Sequence, residues 1–226
     1  MNLRHFASLL VATSVGFPSA ACSFLTYETI YGDGEPVSEP REVVDFDAVA
    51  VAGSFAVNVD VVETEAAAQV SIEAQANLQP YIETRVEGGT LEVRVREGYR
   101  VSPRPRIVVR TGDLNAIEIA GSADVVASGL SGEEFSVEIA GSGNVRATGT
   151  VDELEIEIAG SGEVRTVDLA TREARVSIAG SGDVELHVAE ALEINIAGSG
   201  DVRYRGDPTI SQSVAGSGRI SRFPAE

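Results

Sequence analysis

The residues with the clearest spacing for chemistry recur every 18 to 20 positions in the second half of the chain, and four of the five are acidic. Each follows a short Ala-Gly-Ser phrase, and we call the set the acidic column: Asp124, Asn144, Glu163, Asp183 and Asp201. If the repeats stack, these side chains lie about 5 Å apart, where like charges repel each other. A divalent cation would remove that repulsion, because hard cations bind carboxylate oxygens. The sequence thus offers a candidate metal site on Asp124, Glu163, Asp183 and Asp201; the alternative is a solvated acidic face that neighbouring arginines neutralise.

A second set of side chains is basic and falls within 13 residues of the chain. We call it the basic island, and its members are Arg94, Arg96, Tyr99, Arg100, Arg104 and Arg106. The planar guanidinium group of arginine recognises carboxylate and phosphate with paired hydrogen bonds. On a chain of formal net charge -18, this density of arginine predicts contact with an anionic glycan or a lipopolysaccharide phosphate. The alternative is a loop that pairs with the protein's own carboxylates.

Side chains suited to catalysis are scarce beyond these two sets. After the first few residues the chain has one histidine, His187, with no cysteine and no metal-ligand spacing near it. The serines of the repeats recur identically, whereas a nucleophile is normally unique and needs a neighbouring base. We therefore expect no enzymatic activity and no cofactor. The acidic column leaves open a β-helical polysaccharide-degrading enzyme as one alternative, and a purely structural envelope spacer is another.

The N-terminus has the pattern of an export signal. Arg4 precedes a short apolar run, Phe6–Phe17, which is too short to span a bilayer. The small residues Ser19 and Ala21 suit cleavage by a signal peptidase. Residues 1–21 are therefore predicted to be a signal peptide, and the protein is expected in the periplasm or on the outer membrane or cell surface.

The one cysteine of the chain stands at the first position after this cleavage point. Cys22 is therefore predicted to carry the lipid anchor of a bacterial lipoprotein. Ordinary secretion is the alternative, since Ser19 replaces the usual leucine of the lipoprotein signal. Residues 22–42 are polar and rich in turn formers, which predicts a flexible tether between the anchor and a folded domain at 43–223.

The residues of the acidic column belong to a sequence repeat, and the fold of that repeat determines where they lie. Six copies of one phrase begin at Ile119, Ile139, Ile158, Ile178, Ile196 and Val214, an interval typical of a solenoid. In each copy an alternation of apolar and polar residues, which indicates a half-buried strand, leads into small residues that permit a sharp corner. The corner glycines are expected to be structural, because a larger side chain would meet the coils stacked above and below it. They are Gly121, Gly141, Gly160, Gly180, Gly198 and Gly216.

Stacking of these repeats predicts columns of inward-facing side chains. The six residues that open the copies form one column, a second runs from Val125 to Ile220, and a third starts at Ile117 and ends at Gln212. A polar residue in the last place predicts that the final coil is a cap. The predicted fold is all-β: a single right-handed parallel β-helix of about 18–20 residues per coil, with a more irregular N-terminal half.

The first half of the domain contains similar strand and corner segments, but its copies of the repeat are less regular. Val51–Val57 is a degenerate copy of the repeat, Glu87–Thr90 has the composition of a hairpin turn, and Asn77–Ile82 could form one helical turn. With the later Ala-Gly-Ser-Gly coils, the segments Val44–Val57, Asn77-Leu78 and Thr90–Val93 resemble the putative auto-transporter adhesin family called the head GIN domain. The resemblance covers roughly residues 43–222.

The resemblance implies a β-helical envelope protein with no established catalytic residues. Its expected partner is an envelope or surface polysaccharide or protein, with the membrane reached through the lipid anchor. Nucleic acid is excluded by the acidic charge, because a phosphate backbone would be repelled. Assembly into oligomers is compatible with everything in the sequence.

Overall fold

The structure, a computed structural model, describes residues 27–62 and 67–224, and these residues are built almost wholly from β-strands. In the first half the strands are β1 Glu28–Tyr31, β2 Pro36–Arg41, β3 Ala48–Gly53, β4 Ala56–Val61, β5 Gln69–Gln75, β6 Ile82–Glu87, β7 Thr90–Val95, β8 Tyr99–Ser102 and β9 Arg106–Thr111. In the second half they are β10 Ala116–Gly121, β11 Asp124–Gly141, β12 Asn144–Gly160, β13 Glu163–Gly180, β14 Asp183–Gly198, β15 Asp201–Arg205, β16 Thr209–Gly216 and β17 Arg219–Arg222.

The second half is a β-solenoid in which each of the long strands makes one coil. Strands β10 to β14 pair in parallel with their neighbours, and β16 and β17 complete the last coil on β14 and β15. The predicted columns are confirmed by the register, since Ile139, Ile158 and Ile178 lie side by side in successive coils. These side chains are almost fully buried and belong to one apolar core that continues into the first half.

The corners stack as the small residues require. Gly160 has a φ of 137°, a conformation that side chains other than glycine rarely adopt. The backbone N–H of Ser161 donates to the carbonyl oxygen of Gly141 in the preceding coil at 2.8 Å. The same arrangement recurs along the predicted corner glycines, and Gly53 of the degenerate copy extends the row by pairing with Gly121.

The first half continues the solenoid and then closes it. Strand β3 stacks on β10, and β4 stacks on β11, both in parallel. Beyond them the pattern changes, because β5 pairs with β9 and β6 pairs with β7 in antiparallel fashion. The predicted hairpin turn lies between β6 and β7, and a single 3-10 turn, Gln79–Tyr81, lies within the predicted helical segment.

The prediction of a flexible tether over residues 22–42 is corrected for its described part. Strand β1 pairs in parallel with β8, and β2 pairs antiparallel with β5 over its whole length. Polar and turn-forming residues suggested a linker, but backbone hydrogen bonds to a neighbouring strand hold these residues without deep burial of side chains. The buried side chain of Gln79 adds a connection: its amide donates to Ile72 O at 3.0 Å and Val37 O at 3.3 Å, and it accepts from Arg41 at 2.8 Å.

The two ends of the solenoid differ. The N-terminal end is closed by β2 and the β6–β7 hairpin, and β2 contains Pro36 and Pro40, which have no N–H to offer to another strand. At the C-terminal end, Gln212 stands at the end of its column as the sequence indicated, and the mostly polar strand that contains it covers Ile194 and Ile196 of the preceding coil. Val214, in the neighbouring column, is 41% exposed, and no described residue covers it.

Candidate functional site

The acidic column is formed, and its members are bound by neighbouring donors. The register places Asp124 beside Asn144, and Glu163 beside Asp183. The Asn144 amide donates to Asp124 at 2.7 Å, and Arg104 forms an ion pair with the same carboxylate. Further along, Glu163 pairs with Arg165 at 2.7 Å. The backbone N–H of Asp201 donates to Asp183 at 3.0 Å.

The predicted metal site on Asp124, Glu163, Asp183 and Asp201 is not assembled. Within residues 27–62 and 67–224 there is no group of three or more His, Cys, Asp or Glu side chains that could hold a metal ion. The physical reason is that the carboxylates stand in a line, one per coil, and do not converge on a point. Arginine side chains pair with Asp124, Glu163 and Asp201, as the alternative interpretation required.

The basic island is divided between separate places on the surface. Arg94 and Arg96 both contact Glu83 of β6, at 2.9 and 3.2 Å. Arg96 also lies over the ring of Tyr81, whose centroid is 4.8 Å from that of Tyr99. This part of the island is therefore a packed cluster beside the β6–β7 hairpin, in which two arginines share one carboxylate of the same protein.

The remaining arginines of the island point to other elements. Arg104 reaches the first residue of the acidic column, and Arg106 lies 3.8 Å from Glu73. Arg100 is exposed on β8, with its guanidinium 4.9 Å from the ring centroid of Tyr27. Internal pairing thus accounts for four of the five arginines, and Arg100 is the member whose described contact is with an aromatic ring.

Two ion pairs, Arg96 with Glu83 and Arg219 with Asp201, make the stability of the protein depend on pH. The hydrogen bond from Arg96 holds the pKa of Glu83 below its usual value, and the hydrogen bond from Arg219 does the same for the pKa of Asp201. A carboxyl group with a lower pKa in the folded state stabilises the protein above its unfolded pKa. That contribution disappears as the pH falls through the folded pKa.

We therefore expect the melting temperature to decline below about pH 4, where these carboxylates become protonated. In Glu83→Gln that decline should be smaller, because one of the linked groups is removed. The control is Glu97→Gln, which changes an exposed carboxyl group close to the same hairpin. Identical pH profiles of Glu83→Gln and the parent protein would show that the pair with Arg96 is not formed in solution.

A groove of about 560 Å³ runs across the repeat and is also acidic. Glutamates from successive coils line it, namely Glu134, Glu153, Glu155, Glu173 and Glu193. All of them occupy repeat positions, since Glu134, Glu153 and Glu173 lie in register. Arg175, which also lines the groove, pairs with Glu193 at 3.3 Å. The groove is therefore a consequence of coil stacking, and its lining changes between coils, because Arg175 stands between Glu155 and Glu193.

Sequence reasoning missed a flat exposed row beside the corners. The alanine of each repeat phrase points outward, and the register aligns these residues along the whole solenoid: Ala52, Ala120, Ala140, Ala159, Ala179, Ala197 and Ala215. Shallow grooves of about 280 and 430 Å³ lie over this alanine row. The sequence could have predicted this row. Side chains alternate between the two faces of a strand, so the alanine that follows an inward-facing isoleucine must face outward.

The comparisons with known proteins agree with this architecture. The family described as putative auto-transporter adhesin, head GIN domain, matches residues 45–208. The chain belongs to this family. A search of curated proteins gives no match. No helix among the described residues of this head GIN domain has the length and apolar character needed to cross a membrane.

Solved structures share the fold of this head GIN domain. A putative adhesin from Bacteroides fragilis has a TM-score of 0.74 at 22% identity, covering 86% of this chain and 100% of that one. A putative adhesin from Parabacteroides merdae has a TM-score of 0.57 at 21% identity, covering 87% and 100%. A putative lipid binding protein from Parabacteroides distasonis has a TM-score of 0.53 at 26% identity, also covering 87% and 100%.

Proposed function

We propose that this head GIN domain is a non-enzymatic, exported protein of the cell envelope that binds a surface polysaccharide or protein as an adhesin. The observation that carries the proposal is the regular outer surface of the solenoid. Seven stacked corners give exposed faces roughly 30 Å long, with one type of side chain repeated along each row. A surface of this kind suits an extended ligand, and repeat proteins commonly bind through such faces. The family and its structural neighbours support the adhesin role.

The enzyme alternative has no observation in its favour. It would require carboxylates at non-repeating positions that face each other across a pocket. The carboxylates that line the 560 Å³ groove instead occupy two rows of equivalent repeat positions, with Glu134, Glu153 and Glu173 in one row and Glu155 and Glu193 in the other. A structural spacer is the alternative that a binding experiment can separate from an adhesin.

Binding should be measured on an array of envelope polysaccharides and lipopolysaccharide, with protein that lacks residues 1–21 and carries Cys22→Ser. We expect retention of at least one anionic glycan, with an affinity that falls as salt rises, because exposed charges are screened within about 8 Å at physiological ionic strength. The variant Arg100→Ser, Arg104→Ser, Arg106→Ser tests the basic island, and Arg146→Ser with Arg175→Ser is the control. If the parent protein binds nothing on the array, the spacer function replaces the adhesin.

Membrane attachment is proposed through a lipid on Cys22, which lies outside the described residues. Only five residues, Ser23–Tyr27, separate this cysteine from the first residue of β1. Five residues span at most about 18 Å when fully extended. A lipid on Cys22 would therefore hold the closed N-terminal end of the solenoid next to the membrane.

Cys22→Ser should move the protein from the membrane fraction to the soluble fraction, because the serine cannot carry the thioether-linked lipid. The measurement is immunoblotting of fractionated cells, together with intact mass of the purified parent protein. Ser23→Ala serves as the control and should remain in the membrane fraction. A parent protein that is soluble, or that has no added lipid mass, would contradict the anchor.

A further inference from the structure

The C-terminal end of the solenoid presents strand edges that no described residue pairs with. Strand β16 forms its ladder with β14, and β17 forms its ladder with β15. Each therefore has one side without a described neighbour. Unpaired N–H and C=O groups along a strand edge are a template for the addition of another strand.

The apolar columns also end uncovered at this place. Ile196 is 3% exposed beneath its neighbour in the last coil, whereas that neighbour, Val214, is 41% exposed. Ile210 and Ile220 are half-buried at the same end. An added strand with alternating apolar residues would bury these side chains as each coil buries the one below it.

The last coil has a local excess of arginine on a chain of net charge -18. Residues 201–224 contain four arginines and two aspartates, and one of the arginines, Arg203, pairs with Glu185 of the preceding coil. The acidic column ends here with a change of sign, because Arg219 occupies the place above Asp201. The side chain of Arg219 is 82% exposed and pairs with Asp201 at 3.0 Å.

The same column shows what a further strand would offer. The carboxylate of Asp183 accepts the backbone N–H of Asp201, and the carboxylate of Asp201 accepts that of Arg219 at 3.1 Å. A strand placed over β17 with an acidic residue in register would set a carboxylate over Arg219. Charge-assisted pairing at this position would select acidic segments over basic ones.

We propose that the open C-terminal end binds an extended acidic segment of a partner polypeptide, which adds a strand to β16 and continues over β17. A second copy of the chain fits less well, because joining two such ends would bring two positively charged coils together. The closed end, with the prolines of β2 at its edge, does not offer the same template. This inference holds whether or not the outer faces bind an envelope ligand.

The test uses a labelled peptide that copies residues 152–165 of the protein, which has five acidic residues and one arginine. Laid over the last coil in the register of the repeat, it places Ile158 over Val214 and Glu163 over Arg219. We expect saturable binding to the full mature protein by fluorescence polarisation. Arg219→Glu should weaken it about fivefold, since the contact between Arg219 and the glutamate laid over it is replaced by repulsion between like charges. The matched control is Arg146→Glu, which reverses a charge in the middle of the solenoid.

Two further measurements separate strand addition from simple charge attraction. A peptide of the same sequence with N-methylated backbone amides keeps its charge but cannot form the ladder, so it should not bind. Hydrogen exchange of the parent protein should show new protection in β16 and β17 when the unmodified peptide is present, and this result does not depend on any variant folding. Equal binding of the N-methylated peptide, absence of binding, unchanged exchange, or a dimer in sedimentation that the peptide does not dissociate would each overturn the proposal.

Discussion

Replacing Gly160 by valine should lower the free energy of unfolding by about 3 to 5 kcal/mol, through overpacking and backbone strain together. The backbone of Gly160 has a φ of 137°, and a Cβ atom there would collide with the carbonyl oxygen of Gly141 in the preceding coil. That oxygen already accepts the N–H of Ser161, so it cannot move away without breaking a corner hydrogen bond. The measurement is denaturant unfolding of the variant and the parent protein.

Gly88→Ala is the matched control for this substitution. Gly88 also has a positive φ, 60°, but a Cβ atom there would meet nothing within 4 Å. The control should therefore cost only the strain of the backbone conformation, about 1 kcal/mol. If Gly160→Val cost no more than Gly88→Ala, the tight stacking of the corners would be wrong.

Phe135→Ala should have a comparable effect, about 3 to 5 kcal/mol, for a different reason. Phe135 is fully buried on β11 and is among the largest side chains of the core. It lies beside Leu154 in the next coil, and the rigid ladder on either side leaves little freedom for the cavity to collapse. Val126→Ala is the control on the same strand: Val126 is 41% exposed, so its truncation should cost less than about 0.5 kcal/mol. Similar unfolding midpoints for the two variants would contradict the position of Phe135 in the core.

The repeated half of the fold could be predicted from the sequence because the repeat itself identifies which residues pair in successive coils. Once Ile139 and Ile158 are recognised as equivalent, their neighbours must also align, and the columns follow without further information. The same reasoning placed the acidic column correctly. It could not show whether the carboxylates would share a cation or be neutralised singly, since that depends on side chains outside the repeat. Arg104, which pairs with Asp124, comes from the irregular half.

In the irregular half, the strands that are held mainly by backbone hydrogen bonds could not be predicted from the sequence. Strand β2 is short and largely exposed, so its sequence has no apolar signal that separates it from a linker. The partners of the basic island were also out of reach, because Glu73 and Glu83 lie 33 and 13 residues from the arginines that they contact. The number of residues between two positions does not show which side chains meet across the antiparallel strand pairs of this half.

The identical register from coil to coil makes the height of this protein a quantity that evolution can change in steps. Each coil contacts only the one before and the one after it, and every corner repeats the same hydrogen bond. Duplicating or deleting one unit of 18 to 20 residues would alter the solenoid by about 4.8 Å and leave the remaining contacts as they are. If a lipid on Cys22 holds the closed end beside a membrane, the number of repeats sets how far the open end stands from the lipid surface.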